Sequence, residues 1–305
     1  MFRYILKRIL FGLVTLFMLV LITFFMTHLM PGNPFDLNNV SASKQAEMMA
    51  HYGLDQPIAT QFFSYVGGLL HGDFGISYKK SGTTVASLIL KEAPPTLALG
   101  AISYLIALVL GTLFGIGMAV TRRRAVRNSM TALSTIGISV PNYVLALVLM
   151  LVFGVTLKWF PVLGLSTPKH YVLPVITLAV YPIAQISRLV KSSYTEAMQQ
   201  DYVIMARSKG LSSGRIVIVH VLKNAMLPVI TASGPMIAFL LTGSFVTEQL
   251  FTIPGIGREF VNAVSNRDYT VVMGLTIFIG ALIILCNLLS DICCALADPR
   301  VKLTD

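Results

Sequence analysis

Ala206-Arg207-Ser208-Lys209-Gly210-Leu211-Ser212-Ser213 is a polar, partly basic stretch set between two hydrophobic runs, each long enough to cross a bilayer. Upstream of it, apolar side chains at Val190, Tyr194, Ala197, Met198, Tyr202 and Met205 recur at helical spacing. Gly210 reads as the stop of that helix, because glycine tolerates the left-handed conformation at a helix C-terminus. Ser212 or Ser213 reads as the next start, with a hydroxyl to cap free backbone amides. The expected product is a helical elbow at the cytoplasmic surface, by which a soluble partner can grip and move transmembrane helices. The plainer alternative is a loop that happens to contain a glycine.

Working outward, the chain of 305 residues is 55% hydrophobic and only 12% charged. A soluble domain carries about 25% charged residues, so this composition predicts an all-α integral membrane protein. Six runs approach the ~20 apolar residues that a hydrocarbon core requires. They are Ile9 to Leu29, Leu97 to Val120, Gly137 to Leu157, Tyr171 to Ser187, Ala225 to Thr247 and Val271 to Ser290. The fourth is the shortest and contains Pro174 and Pro182. The first follows Lys7-Arg8 and has no A-x-A cleavage signal, so it is expected to remain as the first helix.

Charge sets the orientation. With both termini cytoplasmic, the inside segments hold fifteen Lys and Arg against five acids, and the outside segments hold eight of each. The net charge of +10 therefore lies on one side, as the positive-inside rule requires. Because topology accounts for the basic balance, it gives no reason to expect nucleic acid as a partner.

Residues 1–30 are expected to be an N-terminal segment with the first span, and 31–95 an external cap with a short helix near Ser43 to Tyr52. Residues 96–293 form the five-helix core with a cytoplasmic coupling region at 191–223, and 294–305 a cytoplasmic tail. Thr121-Arg122-Arg123-Arg124 ends the second span at the inner headgroups, and Trp159-Phe160-Pro161 ends the third at the outer interface. Gly111 and Gly115 make a G-x-x-x-G step suited to close helix contact. Between the last two spans, Glu248 to Arg258 reads as a tight turn built on Pro254-Gly255 and Gly257 that dips back toward the membrane.

No run carries a central Asp, Glu, Lys or Arg of the kind used by ion-coupled carriers and charged-ring channels, so the energy source is expected to lie on another chain. His28, near the outer end of the first span, is the closest approach to an intramembrane titrating group. The five histidines fall on different segments, and Cys286, Cys293 and Cys294 cluster in or at the last span, so neither a metal site nor a disulfide framework follows. A phosphate-binding G-x-x-x-x-G-K-[ST] loop is missing, and no catalytic triad or carboxylate pair is visible. No catalytic residue, cofactor or metal is expected.

Ordered pieces along the chain carry a more specific signal. They include Met30-Pro31-Gly32-Asn33-Pro34-Phe35, His51-Tyr52-Gly53-Leu54-Asp55, Gly137-Ile138-Ser139-Val140-Pro141 and Asp201-Tyr202 through Gly210. Asn224-Ala225-Met226-Leu227-Pro228, Thr242-Gly243-Ser244-Phe245, Ile253-Pro254-Gly255-Ile256-Gly257, Asn266-Arg267-Asp268-Tyr269 and Asp298-Pro299-Arg300 follow in order. In these pieces and their spacing the chain resembles the membrane permease subunits of bacterial ABC importers for oligopeptides and dipeptides, the B-type oligopeptide permeases above all. The elbow resembles their cytoplasmic signature loop, with Gly210 as its glycine and Leu227-Pro228 as the entry to the next span. Ile204 stands where the general motif has Glu, a departure that peptide permeases share.

The resemblance implies a six-span type I importer fold in the cell membrane and no chemistry on the chain itself. It implies a second, homologous permease, two cytoplasmic ABC ATPases that hydrolyse the ATP, and an extracellular peptide-binding lipoprotein, all within membrane lipid. It places ATPase coupling on Ala206, Arg207, Ser208, Lys209, Gly210, Leu211, Ser212, Ser213 and Arg215. The alternatives are the same architecture carrying dipeptides, nickel or glutathione, and a self-sufficient secondary carrier.

Overall fold

Lipid offers no hydrogen bonds to a backbone, so a chain of this composition crosses it as helices that satisfy their own amides. The computed structural model describes residues 2–29, 42–241 and 245–297, which are predominantly helical, with one isolated antiparallel bridge between Ile76 and Thr84. Helix α1 is Phe2–Leu29; α2 (Ala42–His51) and α3 (Ile58–Leu70) follow. Next come α4 (Val85–Val120), α5 (Arg124–Ser139), α6 (Asn142–Leu149) and a π-helical turn over Met150–Thr156. Helix α7 (Val172–Ala197) leads to the elbow helices α8 (Asp201–Ser208), α9 (Ser213–Arg215) and α10 (Leu222–Ala225), the last two joined by a π-helical turn over Ile216–Val221. The chain returns through α11 (Leu227–Leu241) and α12 (Phe245–Leu250), and continues as α13 (Ile256–Asn266) and α14 (Tyr269–Ala297). Three of the quoted motifs, at 30–35, 242–244 and 298–300, lie outside the described residues.

Five helices or helix pairs are long and apolar enough to span a membrane, and a bent pair makes the sixth. That pair corrects the third run, expected as one segment from Gly137 to Leu157. The chain turns by 101° between α5 and the helix that begins at Asn142. Pro141 supplies the reason: it lacks the amide a continuing helix needs and forces Val140 into extended backbone (φ −78°, ψ 121°).

Two other runs extend beyond their apolar limits. Helix α4 starts at Val85, twelve residues before Leu97, with Thr84 accepting a hydrogen bond from the Ser87 amide as its N-cap. Pro94 and Pro95 lie inside it. The fourth run becomes the 26-residue α7, which accommodates Pro182 and is the most thoroughly buried of the spanning helices. Buried neighbours re-satisfy the amides and carbonyls that a membrane proline releases, so prolines do not end these helices.

The core forms where α4 lies along α7, the most extensive helix pair. Gly111 and Gly115 make that approach possible. A Cβ on Gly111 would sit 2.9 Å from the Ile186 Cβ, and one on Gly115 would sit 2.6 Å from the Ser187 carbonyl oxygen. Helix α1 instead packs on α14, pinned near the cytoplasmic end by the Arg8–Asp291 ion pair at 3.0 Å. His28 stays structural: its ring nitrogens lie 2.8 Å from the Phe24 carbonyl and 3.0 Å from Gln61 Oε1, tying α1 to α3.

Candidate functional site at the cytoplasmic elbow and the outer latch

The elbow begins where α7 stops. Met198 to Gln200 interrupt the helical stretch that the apolar spacing carried through Met205, with Gln200 extended (ψ 149°) ahead of α8. At the far end of α8, Gly210 adopts φ +73°. Its amide donates to the Arg207 carbonyl at 2.9 Å, and the Leu211 amide reaches the Ala206 carbonyl at 3.3 Å. These two bonds form a Schellman end, and the left-handed residue they require is the glycine. The chain then restarts at Ser212, in extended backbone (ψ 145°), before α9. The restart is where the sequence puts it, but the Ser212 hydroxyl makes no capping bond. Its carbonyl accepts the Ile216 amide at 3.0 Å instead.

A small core of its own holds the elbow. Tyr194, Val203, Ala206, Ile216, Val221 and Ala225 are buried together, with Leu211 and Ala119 of α4 packed on them. This cluster ties the elbow to the inner end of the α4–α7 pair. Ala206 is 5% exposed and therefore faces this core, not the solvent. Arg207, Ser208, Lys209, Gly210, Ser212, Ser213 and Arg215 are exposed, and Leu211 is half-buried. Beside them the elbow exposes Ile204, Met205, Ile218 and Val219, with Ile218 at 69%. None of the four is assigned to the coupling surface from the sequence, and Met205 is counted in the apolar pattern with Tyr194 and Ala197, because helical spacing alone does not say which face the elbow core claims.

On the opposite side, the Glu248 to Arg258 segment is more ordered than a turn. Glu248 belongs to α12 and is 2% exposed. Its Oε1 accepts the Thr96 hydroxyl of α4 at 3.0 Å and its Oε2 accepts the Arg258 amide at 3.0 Å. Thr96 Oγ1 in turn accepts the Ile256 amide at 3.0 Å. A carboxylate and a hydroxyl thus receive the first free amides of α13, where the helix dipole favours negative charge. Gly255 is required here because a Cβ would meet both Glu248 Oε2 and Thr96 Oγ1 at 2.5 Å. The arrangement latches the outer ends of α4 and α12 to the start of α13. Glu248 was read as a loop residue because its apolar run ends just before it.

The cap is anchored similarly. Asp268, buried between α13 and α14, accepts the Ser77 hydroxyl, the Tyr78 amide at 3.1 Å and the Lys79 amide at 3.3 Å. Lys80 Nζ pairs with Glu259 at 2.6 Å. Burial raises the Tyr78 hydroxyl above its usual pKa, and the Asp268 charge adds to that rise. Between cap and elbow, Asn142, Tyr181, Pro182, Pro235, Met236 and Phe239 help to line a cleft of ≈ 460 Å³ with no formal charge on its wall. Tyr181 Oη accepts from Gln185 Nε2 at 2.9 Å. Among the described residues no group of three or more His, Cys, Asp or Glu is placed to hold a metal ion.

Comparison with known proteins covers nearly the whole chain. Residues 111–303 match the family model for the binding-protein-dependent transport system inner membrane component, and residues 1–100 match the model for the N-terminal part of such membrane components. The dipeptide transport system permease protein DppB of Lactococcus lactis subsp. cremoris is 39% identical over 304 residues, covering 99% of this chain and 100% of the relative. The oligopeptide transport system permease protein OppB of Escherichia coli K12 is 38% identical over 305 residues, covering 99% and 100%. Among solved structures, an inward-facing MetNI methionine ABC transporter aligns with a TM-score of 0.60 at 18% identity, over 69% of this chain and 96% of that one. At that identity the likeness concerns the fold.

Proposed function

Because the chain belongs to the family of binding-protein-dependent transport system inner membrane components, we propose that it is the multi-pass permease subunit of an ATP-driven importer. It translocates oligopeptides across the cytoplasmic membrane by alternating access. The observation that carries this reading is full-length similarity, at 38–39% identity, to peptide permeases. The cleft at Asn142 and Tyr181 fits a peptide cargo, since neutral amide and hydroxyl groups match a main chain without selecting one charged side chain.

The chain performs no covalent chemistry in this reading. ATP is hydrolysed on two separate cytoplasmic ATPase subunits, a homologous second permease completes the path, and an extracellular lipoprotein delivers the peptide. The exposed tip from Arg207 to Arg215, with Ile204, Met205, Ile218 and Val219, is the surface that meets an ATPase. Ala206 supports that surface from inside. Closure of the ATPases moves the elbow, and the elbow core passes the movement to α4 and α7.

Reconstitution tests the reading. Proteoliposomes holding this chain, a second permease, both ATPases and the binding protein should accumulate labelled oligopeptide only with ATP. Accumulation by this chain alone would establish a self-sufficient carrier. Exclusive uptake of dipeptide, nickel or glutathione by the complete system would keep the architecture and change the cargo.

A further inference from the structure

At the inner end of the α4–α5–α7 crevice three cations, Arg127, Arg188 and Lys191, line adjoining hollows. Arg127 and Lys191 line one hollow of ≈ 570 Å³, and Lys191 and Arg188 line an adjoining one of ≈ 530 Å³. Lys191 Nζ donates to Thr131 Oγ1 at 3.1 Å, which fixes the ammonium between the two hollows. Among the described residues none of the three cations forms an ion pair. The one acid on these walls, Glu196, lies more than one turn beyond Lys191 toward the elbow.

The same crevice continues into the membrane as an apolar cleft of ≈ 650 Å³. Leu110 and Leu113 of α4, Leu133 and Ile136 of α5 and Val180 of α7 line it, and Ile136 also lines the Arg127 hollow. Depth agrees with chemistry. The spanning stretch begins at Pro168, in the short 3-10 turn that leads into α7. At 1.5 Å per residue, ~20 residues from there cross the hydrocarbon and arrive at Arg188. The cations therefore stand at headgroup level and the apolar cleft stands at acyl-chain level, along one continuous groove.

We propose that this groove is a binding site for one anionic phospholipid of the cytoplasmic leaflet. Arg127, Arg188 and Lys191 hold the phosphodiester, Thr131 adds a hydroxyl, and an acyl chain fills the cleft beside Leu133. Positive-inside topology accounts for cations on this side, but not for their convergence at the mouth of an apolar groove. An anionic phospholipid ties the two parts together, because its headgroup joins an unneutralised negative charge to acyl chains at this depth. The site lies on the face of α7 whose inner end carries the elbow, so an occupied groove steadies the lever that couples ATP to transport.

The test is lipid retention by the assembled complex, purified from membranes and measured by native mass spectrometry. Wild type should retain an anionic phospholipid in preference to a zwitterionic one of the same acyl length. Arg127→Gln with Lys191→Gln should lower retention roughly thirtyfold, the effect of removing two cations near the surface. Leu133→Trp, which fills the cleft and leaves the cations in place, should also lower it. If Leu133→Trp changes nothing while inorganic phosphate competes the lipid off, the site reads a free anion and the proposal fails. Equal retention by the double variant, in complex of normal yield, overturns it as well. Loss of the second permease from the complex with lipid still bound would make this face a protein interface and also overturn it.

Discussion

Thr96 donates its hydroxyl to Glu248 at 3.0 Å, joining the outer end of the second span to that of the fifth. The bond is one part of a closed network. Removing the carboxylate leaves the Thr96 hydroxyl and the Arg258 amide without their acceptor in a buried place. Glu248→Ala should therefore destabilise the protein by about 1 to 3 kcal/mol, seen as a lower midpoint of thermal unfolding in detergent. Gly255→Ala should act in the same direction, because its Cβ needs space held by the same carboxylate. An unchanged midpoint in both variants would show that the latch is ornamental.

The close approach of α4 and α7 predicts a second effect. Gly115→Val places a Cβ 2.6 Å from the Ser187 carbonyl oxygen, a backbone atom that cannot swing aside. Overpacking of this kind costs about 1 to 3 kcal/mol, so the variant should accumulate poorly in membranes. Gly214→Ala, where an added Cβ meets nothing within 4 Å, should accumulate normally and serves as the control. Equal abundance of the two would contradict the packing.

Asp268 predicts a third. It holds the Ser77 to Lys79 segment of the cap through a side-chain bond and two backbone bonds. Asp268→Ala should let this segment open locally, and external trypsin should then cut after Lys79 or Lys80 about tenfold faster in intact cells. Cleavage at the wild-type rate would mean that other contacts anchor the cap.

The charge split predicts opposite sides for cap and elbow. In a cysteine-free background, Ser81→Cys should react with an impermeant reagent in intact cells, and Ser212→Cys only after lysis. Both serines are exposed, whereas Ser77, in the same cap, is buried against Asp268 and would not report. Labelling of both positions from outside would overturn the topology.

Much of this architecture was legible because lipid makes the signal long and simple. Apolar run lengths and the Lys and Arg split reveal spans and sidedness without any tertiary knowledge. The turn at Gly210 was legible for a local reason: one residue type suits a left-handed helix end. Other features depend on contacts that a linear reading does not contain. Pro141 breaks its span whereas Pro182 does not, although both are prolines within apolar runs. Glu248 looked like a loop acid because Thr96, its partner, lies 152 positions away. Within the elbow, the division between buried Ala206 and exposed Ile204 and Met205 follows from how α8 packs on Ile216 and Val221.

The most direct measurement is peptide imported per ATP hydrolysed, in proteoliposomes holding the complete complex with Gly210→Val. At φ +73° with nothing within 4 Å of the new Cβ, the substitution acts through backbone strain alone, about 1 to 3 kcal/mol for a residue held in that region. The spans insert regardless, and Gly210→Asn should be milder because asparagine visits this conformation. Gly210→Val should reach normal abundance while peptide uptake collapses, and the ATPases should either detach or hydrolyse ATP without transport. Wild-type uptake with wild-type ATP use in the valine variant would contradict the account, since the elbow would then be a loop and not the lever.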